Sequence, residues 1–579
     1  MNAKYIFLSI IIFFIIGCNK KKDTLQENSN SKLELHNHSK EFKKQIVKVG
    51  EKTYVAIGYG LANSIMIEGT DGLIIIDAME SLKQGETVIR EFKEIVDKPV
   101  KAIIYTHNHA DHVFGAKSIA GKDNPEIYAH ELMPYYLDRI SNIIRPIIEK
   151  RSYRMFGNFL NKDELVNCGI GQNLRINKNS LLGVIRPTKT FKDSLNIDIS
   201  GIKLQLFHAS GETPDQLMVW MPDEKILFCG DNFYKSFPNL YTIRGTAYRD
   251  VNEWKNSLDK MRSFSPEKLV PSHTLPIQEK KKVLKALTDY RDAIQYVHDQ
   301  TIRLVNHGLT PDEIVEKISL PKHLAVSPYL QEFYGKVSWS VREIMNGYLG
   351  WFDGNPSSLN PLTLKEEALK IVELAGGKNM LKEALKKAIE NKDYKWALQL
   401  ADYLIVLDED KKSVQYQKGD ILYQMGMKQN NANARHYYVT YGKELKGLSN
   451  EALGIPDKDM VHAIPLNIIF NSMAVNLKAE EVLDLNKSIT WFFPDKDSYY
   501  SMIIRKGIAE VVPSRIENSD ITIELDSKIW KELLAEFRTP LMTFLSGKIK
   551  INGGKLAFIE LMGYFEKTSE IKSESILLP

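Results

Sequence analysis

Cysteine is scarce in this chain: 579 residues carry three, Cys18, Cys168 and Cys229, far apart and without a CxxC pair. That excludes a disulfide-stapled scaffold and a thiolate zinc site. Long basic tracts are missing from the body of the chain, and the formal net charge is only +4. Nucleic acid is excluded as a partner on that ground, because phosphate binding needs a concentrated cationic surface. Extreme composition is missing as well. With 43% hydrophobic and 26% charged residues, the chain is neither disordered nor a polytopic membrane protein. Its length predicts about three domains, each able to bury its own core.

One apolar run stands apart. Lys4 precedes Ile6–Ile16, a run too short to cross a hydrocarbon core of about 30 Å but suited to the h-region of a signal peptide. It ends Ile15-Ile16-Gly17-Cys18, which resembles a bacterial lipobox, where the cysteine is acylated and becomes the new N-terminus. From Asn19 to about His38 the chain is rich in Lys, Asn and Ser and nearly free of apolar residues, a composition that makes a tether and not a core. The expectation is an exported lipoprotein, anchored through Cys18 at a membrane surface in the periplasm or on the cell surface. The competing reading is an ordinary signal peptide or membrane anchor with an incidental cysteine.

From Gln45 to about Arg262, short β-rich runs alternate with turns: Ile46–Val49, Tyr54–Ile57, Ile65–Ile67, Leu73–Ile76, Ala102–Tyr105, Leu204–Phe207, Leu217–Trp220 and Ile226–Phe228. Helical patterns at Leu82–Glu94 and Leu132–Glu149 interrupt them, so the class is α/β or α+β with helix-covered sheets. From about Ile277 to Tyr348 the pattern is mostly helical. After the turn-rich Gly350–Pro356, an all-helical stretch begins near Leu362, with Gly419 and Gly426 as small residues for close crossings; it is loosely like tetratricopeptide repeats. Past Asp457 strand-like alternation returns, at Ser501–Arg505 and Ile521–Leu525, so a small α+β domain closes the chain.

The chemistry gathers after one apolar strand. Ala102–Tyr105 leads into Thr106-His107-Asn108-His109-Ala110-Asp111-His112, which holds three of the 13 histidines within six positions. The C-terminal end of a strand is where α/β folds usually place their sites. Imidazole nitrogen and carboxylate oxygen suit zinc, and HxHxDH spacing lets His107 and His109 face one metal while Asp111 and His112 face another. This run resembles the signature of the metallo-β-lactamase superfamily. Ile74-Ile75-Ile76-Asp77, Cys229-Gly230-Asp231 and Pro271-Ser272-His273 resemble, in order, the strand whose aspartate supports the metal loop, the bridging carboxylate and the last histidine ligand.

The third ligand segment departs from that pattern. Ala209-Ser210-Gly211-Glu212-Thr213-Pro214 places a glutamate where the superfamily usually carries histidine, a substitution characteristic of its alkyl sulfatases. Gly58–Ser64, Arg154–Gly157, Gly169–Gly171, Gly350–Pro356 and Leu374–Gly377 are similar to that family too. One position differs from it. The alkyl sulfatases usually bridge their metals with glutamate, and Asp231 is one methylene shorter.

The resemblance implies an αββα catalytic domain at 41–350, a helical dimerisation domain at 351–455 and a domain like sterol carrier protein at 456–579, behind the leader 1–18 and tether 19–40. It implies two zinc ions, one held by His107, His109 and Glu212 and the other by Asp111, His112 and His273, with Asp231 bridging. Arg244 would bind the sulfate group, assisted by Asn239; with Asp111 these are the residues assigned to catalysis. The implied activity is hydrolysis of an amphiphilic alkyl sulfate to alcohol and sulfate by a metal-activated water, in a homodimer. Trp491-Phe492-Phe493, Met502-Ile503-Ile504 and Phe544-Leu545 supply apolar material for a lipid groove or for plain core. Two rivals stay open: a dizinc hydrolase of a phosphodiester, lactone or β-lactam, and a non-catalytic lipid-binding lipoprotein.

Overall fold

The computed structural model describes residues 34–448 and 454–567, so Cys18, the leader and most of the expected tether lie outside the described residues. Two sheets face each other. One has seven strands, in spatial order Gln45–Lys48, Thr53–Ile57, Ser64–Glu68, Leu73–Ile76, Val100–Ile104, Glu126–His130 and Lys189–Phe191. The other has six: Ile277–Gln278, Lys268–Pro271, Ile226–Gly230, Leu217–Met221, Ile202–His208 and Ser194–Ile199. Alternation along the strands makes the layers. In Leu73–Ile76, Ile74 and Ile76 join Ile104, Leu206, Val219 and Phe228 between the sheets. Leu73 and Ile75 point the other way, onto Val88 and Phe92 of the helix Leu82–Ile95.

The outer face of the second sheet is covered by Val251–Ser263, Lys280–Val305 and Val337–Leu349, through Trp254, Leu258, Leu287, Ile294 and Ile344. Helix, sheet, sheet and helix therefore stack as an αββα sandwich. The expected helix Leu132–Glu149 is broken in two, Met133–Asp138 and Arg145–Phe156, around a π-helical turn at Arg139–Ile143. Pro146 is the reason, since it lacks an N–H and is tolerated only in the first turn of the second helix.

The helical section runs Leu364–Ala375, Lys378–Glu390, Tyr394–Val406, Lys411–Met427 and Ala432–Leu445. Its last two helices cross so closely that a Cβ on Gly419 would lie 2.6 Å from the Gly442 carbonyl oxygen. The C-terminal domain is a five-stranded sheet, Ile508–Val512, Ser498–Arg505, Asn486–Phe493, Ile521–Glu524 and Lys550–Asn552. Trp491, Phe493, Met502 and Ile504 are fully buried in its core with Phe470 and Trp530.

Ala432–Leu445 also packs on Arg145–Phe156 of the sandwich. There Arg154 grips Glu444 through Nε and Nη2, at 2.9 and 2.6 Å from Oε2, with both side chains buried. Removing one partner of a buried pair strands the other charge, at a loss of about 3–5 kcal/mol. Glu444→Ala is therefore expected to lower the thermal unfolding midpoint, read by calorimetry; an unchanged midpoint would remove the pair from the interface energetics.

The expected tether ends earlier than residue 40. Leu35 and His38 are buried, His38 stacked on Phe333 with ring centroids 4.2 Å apart and its Nε2 2.8 Å from the Gly169 carbonyl. An apolar side chain and an aromatic stack give this end of a polar stretch something to bury. Burial lowers the His38 pKa from 6.5 to about 4, although the Gly169 carbonyl and Glu41 oppose the shift. Above pH 6.5 the imidazole is neutral in both docked and released forms. As pH falls towards 4 only the released form takes up the proton, and about 3 kcal/mol of docking stability is lost. The hydrogen-exchange protection factors of residues 34–42, with the intrinsic pH dependence of amide exchange divided out, are expected to fall over that window, and His38→Gln to flatten the response. A pH-independent protection factor in the parent protein would contradict this.

Candidate metal centre

The site sits at the C-terminal ends of the central strands of both sheets. Val100–Ile104 delivers His107–His112, Ile226–Gly230 delivers Asp231 and Lys268–Pro271 delivers His273. Gly230 is needed at the turn into Asp231: its φ is +56°, and a Cβ would fall 1.9 Å from Gln216 Nε2.

Asp77, just past Leu73–Ile76, braces the loop from below. It accepts from the Thr106 N–H at 2.8 Å, the Thr106 hydroxyl at 2.9 Å, His112 Nδ1 at 2.8 Å and the Ser272 hydroxyl at 2.7 Å. These bonds order the protons. His112 donates from Nδ1 to Asp77, which leaves Nε2 as the nitrogen that faces the centre. Because the Thr106 hydroxyl donates to Asp77, it accepts from His107 Nδ1 at 3.0 Å, and His107 Nε2 faces the centre too. His273 Nδ1 bonds the Leu61 carbonyl at 3.0 Å, with the same result.

These nitrogens converge on one carboxylate oxygen. Asp231 Oδ2 lies 3.1 Å from His273 Nε2, 3.5 Å from His112 Nε2 and 3.7 Å from His107 Nε2. Asp111 Oδ2 is 3.4 Å from His112 Nε2 and 3.5 Å from His273 Nε2. His109 Nδ1 lies 2.8 Å from His107 Nε2, and His109 groups with Glu212 and Asp231 closely enough to share an ion. All seven side chains expected to be ligands are thus brought together.

Burial and neighbouring charge act against each other across the cluster. Burial holds His107 and His109 well below the usual imidazole range. Burial opposes charge on His112 also, yet Asp111, Asp231 and Asp77 raise it well above that range. Asp231 is held well below the carboxylate range, against burial, by His273, His112 and His107. A buried set of this kind needs positive charge, and His112 Nε2 and Asp231 Oδ1 are buried without a hydrogen-bond partner among the described residues. Imidazole and carboxylate donors with free lone pairs fit a metal of the zinc type.

Arg244 reaches the cluster directly, its Nη2 2.8 Å from His109 Nε2. In this contact Arg244 donates, so the His109 proton sits on Nδ1, towards His107. Asn239 is fully buried, and neither atom of its side-chain amide has a partner among the described residues.

Two residues of the site escaped the sequence reading. Arg249, fully buried, places Nη1 2.9 Å from Glu212 Oε1 and donates to the Asn239 carbonyl. The Tyr234 hydroxyl donates to Glu212 Oε2 at 3.1 Å and accepts from the Asn239 N–H at 2.8 Å. Together they tie the third ligand segment to the Asn239 loop. Burial raises Glu212 to about 7, opposed by Arg249 and reinforced by Asp231.

Comparison with known proteins agrees with this geometry. Residues 57–273 match the metallo-β-lactamase superfamily model, 310–447 the alkyl sulfatase dimerisation model and 455–571 the alkyl sulfatase C-terminal model. A linear primary-alkylsulfatase of Pseudomonas sp. (strain ATCC 19151) is 34% identical over 520 residues, which are 86% of this chain and 98% of that protein. An (R)-specific secondary-alkylsulfatase of Pseudomonas sp. is 26% identical, over 90% of this chain and 81% of its own. The solved structure of a stereoselective inverting sec-alkylsulfatase from Pseudomonas sp. superposes with a TM-score of 0.84 at 25% identity, covering 90% of this chain and 84% of the other. Sandwich, ligand order and relatives agree that the chain belongs to the alkyl sulfatases of the metallo-β-lactamase superfamily.

Proposed function

We propose that this protein is a dizinc hydrolase that cleaves alkyl sulfate esters to the alcohol and inorganic sulfate. The observation that carries the reading is the contact of Arg244 with a seven-ligand centre whose third segment supplies Glu212 in place of an imidazole. A guanidinium at that position suits an anionic, multi-oxygen head group.

Zinc held by His107, His109 and Glu212 and by Asp111, His112 and His273, with Asp231 between the two sets, would neutralise the sulfate and bring the pKa of water from about 15.7 towards 7. The protein's own groups do the rest. Arg244 forks onto two sulfate oxygens, and the unpartnered Asn239 amide donates a further bond. Arg249 and Tyr234 hold Glu212 by both oxygens and fix the Asn239 backbone. Asp77 keeps Nε2 of His107 and of His112 turned towards the centre.

The same reading makes the chain a homodimer through its helical section, 351–455. The dimerisation model match supports this, as do the exposed apolar side chains Leu369, Leu374, Met380 and Trp396. At the N-terminus it makes Cys18 a lipid anchor and the protein an exported lipoprotein, supported by the Ile15–Cys18 lipobox. Purified zinc-loaded protein is to be offered dodecyl sulfate, a phosphodiester, a lactone and a β-lactam, with products quantified. Sulfate release from dodecyl sulfate alone is expected. Failure to release sulfate from alkyl sulfates of any chain length would overturn the reading.

A further inference from the structure

Two short helices of the C-terminal domain are apolar on both sides. Pro540–Leu545 turns Thr543 and Phe544 inward, and Lys555–Gly563 turns Phe558 and Leu561 inward; Phe544 and Phe558 meet with ring centroids 6.5 Å apart. Their outer faces carry Leu541, Met542, Leu545, Leu556 and Ile559, which are 68, 64, 73, 82 and 54% exposed. Scattered single exposed apolar residues need no explanation, but five large ones on two touching helices mark an interaction surface.

The charge around the patch selects its occupant. Between Arg538 and Ile559 the chain contains Arg538, Lys548, Lys550 and Lys555 and neither Asp nor Glu; the one acid on the two helices is Glu560, exposed and bonded by the Tyr564 hydroxyl at 3.3 Å. Arg538 and Lys550 are paired with Glu532 and Glu524. Lys548 and Lys555 are exposed and make no ion pair among the described residues. Apolar side chains flanked by two unpaired lysines suit an anionic lipid–water interface, where the chains enter the acyl boundary and the ammonium groups meet head-group phosphates. A second copy of the same patch would bring like charges together. Among the described residues no helix is long and apolar enough to cross a membrane, so such contact is peripheral.

We infer that this face of the C-terminal domain docks on an anionic bilayer, as a contact separate from Cys18. The inference does not depend on the substrate assigned above. Its test uses the full chain with Cys18→Ser and Leu556→Cys, labelled at residue 556 with a polarity-sensitive fluorophore; Cys168 and Cys229 are buried and escape the label. A second protein labelled through Lys395→Cys, on the helical section, reports whether any change is confined to the patch. Phosphatidylglycerol vesicles are expected to shift the 556 emission to the blue and leave the 395 emission unchanged. Phosphatidylcholine vesicles should act at least about tenfold more weakly, as should Lys548→Glu/Lys555→Glu protein on phosphatidylglycerol. No response at 556, or equal response to both lipids, overturns the inference. So does a shift without vesicles: if it grows with protein concentration a second copy covers the patch, and if it does not the chain covers it itself.

Discussion

Asp231→Ala is expected to remove metal from the centre and to lower kcat/KM for dodecyl sulfate by about four orders of magnitude or more. The size of the effect follows from position. One oxygen of Asp231 faces His273, His112 and His107 within 3.7 Å, so its loss leaves His107 without that carboxylate and His112 and His273 with Asp111 alone. Two cations bound there would also lose the negative charge between them, in a buried site where electrostatic terms are strong. Metal content by elemental mass spectrometry, beside circular dichroism to show that the fold survives, is the check. Asp231→Glu separates charge from length, since it restores the residue usual in the family and is expected to retain metal. Full metal content and unchanged turnover in the alanine variant would remove Asp231 from the centre.

The second large effect is expected at Arg244. Arg244→Ala should lower kcat/KM for alkyl sulfates by about 10²–10³-fold while metal content stays that of the parent, because in the proposed reading the guanidinium recognises an anion and ligates nothing. Arg244→Lys keeps the charge but not the planar fork, and should fall between the two. Inhibition by inorganic sulfate should weaken in parallel. If sulfate inhibits parent and alanine variant equally, Arg244 does not hold the head group.

What could be read beforehand depended on how far apart in sequence the cooperating residues lie. His107, His109, Asp111 and His112 share one loop after one apolar strand, so their spacing alone signals a metal site. Glu212, Asp231 and His273 became legible only in order behind that loop, with family resemblance supplying the expectation. Arg249 and Tyr234 reach Glu212 across 37 and 22 residues, through loops without a periodic pattern. No local signal separates them from surface Arg and Tyr; their roles come from the packing of the Asn239 loop against Glu212.

The fold divides the same way. Each of the eight expected strands of the sandwich is present within a residue or two, because alternating or continuous apolar runs are set locally. Glu126–His130 was missed: Glu-Ile-Tyr-Ala-His has no clear period, and its burial comes from lying between Val100–Ile104 and Lys189–Phe191. The docking of Leu35 and His38 was illegible for a similar reason, as its partners, Phe333 and Gly169, are more than a hundred residues away.

The most direct test of the central claim is sulfate release from dodecyl sulfate, followed by ion chromatography on the same protein before chelation, after chelation and after zinc is returned. The account predicts about two metal equivalents per chain in the active protein, loss of sulfate release on chelation and recovery with zinc. Release that continues undiminished in metal-free protein would contradict it.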